Sequence, residues 1–195
     1  MLAAGHLFVI SAPTGGGKTT IAKQVLISLH GRAPLEKVVT YTTRQSRLHE
    51  RDGIDYHFVS LAEFYDKKMN GFFLETTSYD KNFYGCPRNI IDTMEKDGKS
   101  FILVTDRPGA TTIKTLYPPA VLIWFNVPSL EILLGRLQKR GRETGVALEQ
   151  RIAIASQEIS AEEKNPVFDH HLINDDLTTA TAQLVQLIER SFTNS

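Results

Sequence analysis

The sequence predicts an α/β fold in which a parallel central sheet is flanked by helices. The main signal is two apolar runs, Phe101–Thr105 and Val121–Phe125, which are typical of strands buried on both faces. Leu7–Ile10 is a third run of this kind, and His171–Ile173 is a weaker fourth. Amphipathic segments separate these runs, and strands that alternate with helices favour a parallel sheet.

Six segments between and after these strands have the pattern of helices that would cover the sheet. They are Thr20–Leu29, Asn89–Asp97, Arg107–Leu116, Leu130–Arg140, Leu148–Glu163 and Leu177–Phe192. Short polar side chains accept hydrogen bonds from the first amides of a helix, so Ser129 is a candidate cap for the fourth helix. Asp175 and Asp176 are alternative caps for the last one.

The stretch from residue 39 to residue 85 has a different pattern. Short β-branched or aromatic segments separated by turn residues predict a small sheet here. These segments are Thr40–Arg44, Tyr56–Val59, Phe72–Thr77 and Asn82–Tyr84, with one helix at Leu61–Asn70. We therefore divide the chain into a core (1–38, 86–128 and 161–195), a small β-rich insertion (39–85) and a helical, arginine-rich insertion (129–160).

Composition and charge narrow the possible partners. The chain has 195 residues, enough for one domain, with 22 basic and 22 acidic residues. A net charge of zero provides no general attraction to nucleic acid or to an acidic membrane surface, so we expect neither as a partner. Cys86 is the only cysteine, and no segment has the form of a signal peptide or a membrane span. These features predict a cytoplasmic protein.

The segment that follows the first strand has the pattern of a phosphate-binding loop. Gly15–Gly17 lack a Cβ, so their backbone amides can turn inward towards an anion. Lys18 is placed to contact the β- and γ-phosphates of a nucleotide, and Thr19 to coordinate Mg²⁺. The positive end of the next helix would point at the same anion. The candidate ATP-binding residues are Ala12, Pro13, Thr14, Gly15, Gly16, Gly17, Lys18, Thr19 and Thr20, and Ala12 stands where the usual pattern has glycine.

A series of motifs along the chain resembles that of guanylate kinases, which transfer the γ-phosphoryl group of ATP to GMP. The motifs are SAPTGGGKTT (11–20), TTRQSR (42–47), GIDYHF (53–58), FLE (73–75), FYG (83–85), RLQKRG (136–141) with Arg151, and INDD (173–176). They cover nearly the whole chain, and their order and spacing make the resemblance specific. It implies a P-loop kinase fold in which residues 39–85 bind GMP and residues 129–160 form a lid.

The resemblance implies a set of residues around the phosphate of GMP. Arg44 and Arg47 would clamp it, with Thr40, Tyr56 and Tyr84 beside them. A guanidinium offers a planar fork of donors that suits phosphate oxygens. The alternative for the arginines is a solvated charged loop, and for the tyrosines it is ordinary packing in a sheet.

For the base, the resemblance points to Glu75. Guanine presents N1–H and N2–H₂ as adjacent donors, and an ionised carboxylate accepts from both, whereas adenine would face it with an acceptor. Asp106 corresponds to a second acid near the base, with a helix cap as the alternative.

Two positions depart from the family. Cys86 replaces a Ser or Thr that donates to guanine O6, and a thiol donates poorly; Val104 replaces an Asp near the phosphates.

The resemblance also implies that Arg136, Arg140 and Arg151 close over the transferring phosphoryl group. Arg136 and Arg140 are four residues apart, so they share one face of a helix. Asn174 would lie near the adenine of ATP. A surface helix with salt bridges is the alternative for the arginines, and a turn is the alternative for Asn174.

We therefore expect an enzyme that converts ATP and GMP to ADP and GDP with Mg²⁺. Its catalytic residues would be Lys18, Arg136, Arg140 and Arg151, and it would act as a monomer or small homo-oligomer. One alternative is a kinase of the same architecture for a phosphorylated sugar, as in ribose bisphosphate phosphokinases, which would not need Glu75. The other is a non-catalytic guanylate kinase-like module that binds phosphopeptides, but such modules typically lose the phosphate loop and lid arginines.

Overall fold

Five parallel strands form the central sheet of the computed structural model, which describes residues 5–141 and 144–193. In spatial order they are β2 (Leu35–Lys37), β7 (Ser100–Val104), β1 (Leu7–Ser11), β8 (Val121–Asn126) and β9 (His170–Ile173). The three central strands match the predicted apolar runs, and every residue of β1 is buried. The α/β prediction with a parallel central sheet is therefore confirmed. Residues 1–4, 142–143 and 194–195 of the predicted core and lid lie outside the described residues.

A second sheet of four strands occupies the stretch that the sequence marks as different, and its strand β6 continues two residues beyond the predicted boundary at residue 85. Its strands are β3 (Tyr41–Thr42), β4 (His57–Phe58), β5 (Phe73–Tyr79) and β6 (Asn82–Pro87), in the order β4-β3-β6-β5. β6 is antiparallel to both of its neighbours, whereas β3 and β4 are parallel. Helix α2 (Leu61–Met69) begins at a reciprocal capping box formed by Ser60 and Glu63.

Six further helices cover the central sheet and form the helical insertion. They are α1 (Lys18–Leu29), α3 (Asn89–Asp97), α4 (Arg107–Leu116), α5 (Leu130–Arg140), α6 (Val146–Lys164) and α7 (Leu177–Thr193). Alternate residues of β1 enter two different cores: Leu7 and Val9 pack towards α3 and α4, and Phe8 and Ile10 pack towards α1 and α7. Side chains of successive strand residues point to opposite faces, so both faces of the sheet are buried.

Three short side chains fix where helices begin. Ser129 accepts a hydrogen bond from the third residue of α5, as predicted. Asp176, not Asp175, caps α7 by accepting from the amide of Thr179 at 2.8 Å. Asp106 caps α4 by accepting from the amide of Gly109 at 2.9 Å. Each cap satisfies an amide that the helix itself leaves without a partner.

The helical insertion has a small core of its own. Leu133 and Leu137 of α5 pack with Ala155 of α6. α5 also reaches the phosphate loop, since a Cβ on Gly15 would come within 2.8 Å of Leu137 Cδ2. The described part of this insertion, the predicted lid, is therefore a pair of helices that packs against the loop. Across the described residues, no helix has both the length and the apolar character needed to cross a bilayer.

Candidate active site

One cleft of about 470 Å³ lies where the phosphate loop, the second sheet and helices α5 and α6 meet. The predicted site residues that line it are Thr14, Gly15, Gly16, Gly17, Lys18, Thr19, Thr20, Thr40, Arg47, Tyr56, Glu75, Tyr84, Asp106, Arg140 and Arg151. The predicted residues outside its wall are Ala12, Pro13, Arg44, Cys86, Arg136 and Asn174. Most of the predicted site is thus brought together, and the remainder contacts it from behind or from the side.

The phosphate loop is a tight turn that requires glycine. The amide of Gly16 donates to Pro13 O at 2.7 Å, and Gly17 caps α1 with a φ of 91°. This left-handed conformation favours glycine, and a Cβ on Gly17 would also lie 2.7 Å from Asn174 Nδ2. The loop therefore leads directly into α1, whose N-terminal amides face the cleft as an anion site would require.

Lys18 lies over the loop at the centre of the cleft. Its ammonium donates to Ala12 O at 3.1 Å, so buried Ala12 contributes through its carbonyl. Burial lowers the pKa of Lys18, whereas the carboxylates of Glu158 and Asp106 act in the opposite direction. The lid arginines Arg151 and Arg140 lower it further. Two basic groups of the lid and one carboxylate of α6 thus already act on the lysine of the loop.

Asn174 and Arg136 support the loop from outside the cleft. The amide of buried Asn174 donates to Gly16 O at 2.7 Å. Arg136 donates to the carbonyl oxygens of Asn174 and Asp175, both at 2.8 Å. These contacts tie α5 and the end of β9 to the phosphate loop. The predicted contact of Asn174 with adenine and the predicted catalytic role of Arg136 stay predictions, because neither side chain lines the cleft.

The guanine end, defined as the end of the cleft where the base of GMP is predicted to bind, contains a buried carboxyl. Glu75 is 6% exposed, and its Oε2 has no hydrogen-bond partner among the described residues. Burial and the nearby Asp106 raise the pKa of Glu75 to about 8, and a hydrogen bond with Thr105 partly offsets this. Asp106 lines the same cleft while it caps α4, so the helix-cap alternative is confirmed and its role beside the base stays a prediction.

Cys86 lies beside Glu75 but is covered. The two residues are directly opposite in the β5–β6 ladder, so their side chains share one face of the sheet. The thiol is fully buried and its Sγ lies 3.7 Å from Pro87 O. Burial raises the pKa of Cys86 well above its usual value. Its predicted contact with guanine O6 stays a prediction, since its side chain does not line the cleft.

The predicted phosphate clamp is organised by an acid that the motif does not contain. Glu50 accepts from Arg44 Nη2 at 2.9 and 3.0 Å and from the amide of Arg47 at 2.8 Å. Arg44 also lies over the ring of Tyr56, 5.5 Å from its centroid, and that ring is 6.1 Å from the ring of Tyr84. Arg47 is exposed and lines the cleft, whereas Arg44 lies behind it. The ion pair therefore holds Arg44 in place beside the two tyrosines.

Helix α6 reaches the phosphate loop through two side chains seven residues apart. Arg151 Nη1 donates to the hydroxyl of Tyr79 at 2.7 Å, and that hydroxyl is 3.2 Å from Thr14 Oγ1. Glu158 Oε2 accepts from the amide of Thr14 at 2.6 Å. The lid, the second sheet and the phosphate loop therefore meet at Thr14.

The family model described as guanylate kinase matches residues 4–191 of the chain. This chain belongs to the guanylate kinase family. Enzymes of this family are phosphotransferases, and the activity that goes with it is the ATP-dependent phosphorylation of GMP. The predictions of family, fold and enzyme class are therefore confirmed.

Similar proteins extend the match over the length of the chain. The guanylate kinase of Desulfotalea psychrophila is 37% identical over 185 residues, which cover 94% of this chain and 88% of that protein. That of Chlorobium chlorochromatii is 38% identical over 177 residues, 90% of each chain. The crystal structure of guanylate kinase from Anaplasma phagocytophilum aligns with a TM-score of 0.78 at 29% identity, covering 96% of this chain and 86% of that chain.

The donors around the loop suit a metal that is held mainly by substrate. Thr19 is exposed and lines the cleft, where its hydroxyl can coordinate a cation. Within 5–141 and 144–193 there is no cluster of three His, Cys, Asp or Glu side chains that could hold a metal alone. Mg²⁺ commonly binds through one or two protein oxygens, substrate phosphates and water, so this guanylate kinase-type site fits it. Val104, where the resemblance implies an acid in the family, also lines the cleft.

The cleft residues that were not selected from the sequence include Glu50, Tyr79 and Glu158. Glu158 has a signal that could have found it, because residues seven apart lie on the same face of a helix and Arg151 was already a candidate. Glu50 lies three residues beyond Arg47, within reach of its amide. Tyr79 carries no such signal, since its contacts depend on how the β5–β6 hairpin meets α6.

Proposed function

We propose that this protein phosphorylates GMP with the γ-phosphoryl group of ATP in the cleft between the phosphate loop and Glu75. The observation that carries the proposal is a phosphate loop and a buried carboxyl suited to guanine in one cleft. Phosphoryl transfer asks little covalent chemistry of the protein, so positioning and charge stabilisation dominate.

The loop end would bind ATP. Its backbone amides and the N-terminus of α1 would cradle the phosphates, as in other phosphate loops. Lys18 would exchange Ala12 O for the β- and γ-phosphate oxygens, a stronger and charged partner. Mg²⁺, held by Thr19 and the phosphates, would supply neutralisation of their charge.

The second sheet would bind GMP. Arg47 and Arg44 would hold its phosphate, with Thr40, Tyr56 and Tyr84 adding hydroxyl contacts. Ionised Glu75 would accept from guanine N1–H and N2–H₂, with Asp106 beside it. The base would then supply the partners that the buried carboxyl otherwise lacks.

The lid would supply the charge that stabilises transfer. Arg140 and Arg151 line the cleft, so each can approach the phosphoryl group as it moves between the nucleotides. Closure would also exclude water, which competes with GMP as the acceptor. Arg136, through its contacts with Asn174 and Asp175, would hold α5 in position during closure.

The chain has a single cysteine, and it is buried. We therefore propose the cytoplasm as its compartment.

The test is ADP release with ATP and Mg²⁺ against a panel of acceptors. GMP and dGMP are expected to be phosphorylated, and AMP, CMP, UMP and ribose phosphates to react at least about a hundredfold more slowly, because only guanine matches Glu75. Faster reaction with a ribose phosphate would favour the sugar kinase alternative. No ADP release with any acceptor, together with phosphopeptide binding, would favour the non-catalytic module.

A further inference from the structure

The hydroxyl of Tyr79 joins three segments of the molecule. Tyr79 is the last residue of β5, in the second sheet. Its oxygen accepts from Arg151 Nη1 of α6 at 2.7 Å and lies 3.2 Å from Thr14 Oγ1 of the phosphate loop. An arginine can only donate, so the phenolic proton is available for the threonine oxygen. The three groups therefore form a short hydrogen-bonded chain that runs from the lid to the loop.

The aromatic ring adds a second constraint on the same arginine. The guanidinium carbon of Arg151 lies 5.6 Å from the centroid of the Tyr79 ring. Asp80, the next residue, places Oδ2 3.9 Å from Arg151 Nη2. The Arg151 side chain is only 21% exposed, so these contacts form in a partly desolvated site where they orient the group strongly.

A rigid hairpin carries Tyr79 to this position. Tyr79 pairs with Asn82 across the β5–β6 ladder, and only Asp80 and Lys81 lie between them. Both turn residues have positive φ, 50° and 62°, as a two-residue type I′ turn requires. The tip of the hairpin is therefore defined by its own backbone, and any movement of the second sheet moves Tyr79 with it.

We propose that Tyr79 is a positioning residue for phosphoryl transfer, which orients Arg151 over the phosphate loop. The inference rests on the proposed function, in which Arg151 acts on the transferring group. Because Tyr79 belongs to the sheet that binds GMP, it also makes the placement of the lid arginine depend on that sheet. Arg151 is thus held by the hydroxyl of Tyr79 in the second sheet as well as by its place on α6.

Removing the hydroxyl alone tests this role. Tyr79→Phe keeps the ring and the fold, so KM for ATP and GMP is expected to stay within about twofold, while kcat falls about tenfold, the cost of losing one hydrogen bond to a charged group. Tyr65→Phe is the matched control, because Tyr65 lies on α2, is 43% exposed and packs against Phe83 outside the cleft. Its kcat is expected to match the wild type. Equal unfolding midpoints for the two variants would exclude a general loss of structure.

A double-mutant cycle separates action through Arg151 from any other role. Arg151→Ala is expected to lower kcat more than Tyr79→Phe, and Tyr79→Phe is expected to change kcat less than about twofold in the Arg151→Ala background. Wild-type kcat for Tyr79→Phe, or the same fold loss with and without Arg151, would overturn the inference. Wild-type turnover in Lys18→Ala would instead overturn the proposed function, so the two failures are distinguishable.

Discussion

The two ends of the cleft differ in whether their polar groups already have hydrogen-bond partners within the protein. At the phosphate loop they are already paired: Lys18 with Ala12 O, the carbonyl of Gly16 with Asn174, and the amide of Thr14 with Glu158. At the guanine end, the buried Oε2 of Glu75 has no partner among the described residues.

This difference implies opposite consequences of binding. At the loop, phosphate oxygens must replace contacts that the protein makes with itself, including one from a carboxylate of the lid. At the guanine end, the base would donate hydrogen bonds to the buried Glu75 carboxylate, whose Oε2 lacks a partner. One end is therefore in place before its nucleotide binds, and the other is completed by it.

Loss of the lysine at the phosphate loop is expected to reduce activity most. Lys18→Ala removes the charge that faces the phosphates but touches no core cluster, so turnover is expected to fall more than about a hundredfold, some 3 kcal/mol or more. Lys23→Ala, on the exposed face of the same helix, is the matched control and should keep wild-type turnover. Steady-state kinetics with circular dichroism checks both. A folded Lys18→Ala variant with more than about a tenth of normal activity would contradict the loop assignment.

Loss of the charge on Glu75 is expected to reduce activity with GMP, by a smaller factor. Glu75→Gln replaces a charged acceptor by an amide, so kcat/KM for GMP is expected to fall roughly ten- to a hundredfold at pH 8.5, the value of hydrogen bonds to an ionised group. KM for ATP should stay within about twofold, because the two ends bind different nucleotides. Glu95→Gln, exposed on α3, is the control. An equal loss with dGMP, GMP and AMP would show that the change acts through the fold.

The same substitution has an opposite effect on stability. The pKa of Glu75 is raised from 4.5 to about 8, so the folded state favours the protonated form. Its contribution to the free energy of unfolding is therefore complete below pH 4.5 and is lost as the pH rises towards 8. Glu75→Gln mimics the protonated form, so at pH 8.5 the ligand-free variant is expected to unfold at a higher temperature than the wild type. If calorimetry finds a lower Tm, the ionised carboxylate of Glu75 does not destabilise the folded state.

Neutralising Glu158 at the phosphate loop is expected to have a smaller effect, and on ATP alone. Glu158→Gln removes a negative charge beside the phosphates, so KM for ATP is expected to fall roughly three- to tenfold at low salt, and less at high salt. Glu163→Gln, on the exposed face of the same helix, should leave it unchanged. Kinetics at two ionic strengths checks the sign, and an unchanged or raised KM would show that the contact with Thr14 does not compete with ATP.

Continuous burial made the central strands predictable. The apolar run at Val121–Phe125 was assigned within one residue, since β8 spans Val121–Asn126. Helix α5 has the predicted bounds, because Ser129 caps it and Gly141 ends it. β2 was not predicted: Leu35–Lys37 has one apolar residue and lies partly exposed at the edge of the sheet. The predicted strand at Thr40–Arg44 also shortens to two paired residues, Tyr41–Thr42.

The candidate site divides in a similar way. The loop glycines and Glu75 could be selected from the sequence because each belongs to a recognisable local motif. Tyr79 could not, because its partners Thr14 and Arg151 are 65 and 72 residues away along the chain. Arg136 was selected for the cleft but binds the carbonyls behind the loop, since its position on α5 faces Asn174. The motifs thus supplied candidate residues, and tertiary packing decides which of their side chains line the cleft.

Proton release on GMP binding shows whether guanine completes the hydrogen bonds of Glu75. With its pKa at about 8, Glu75 is mostly protonated at pH 7 and must ionise to accept from guanine. Titration calorimetry at pH 7 in buffers of different ionisation enthalpy measures this. We expect the wild type to release about one proton more than Glu75→Gln when GMP binds. Equal proton release from both proteins, with GMP binding intact, would show that Glu75 does not ionise when GMP binds. It would contradict the proposal that guanine supplies the missing hydrogen bonds of this carboxylate.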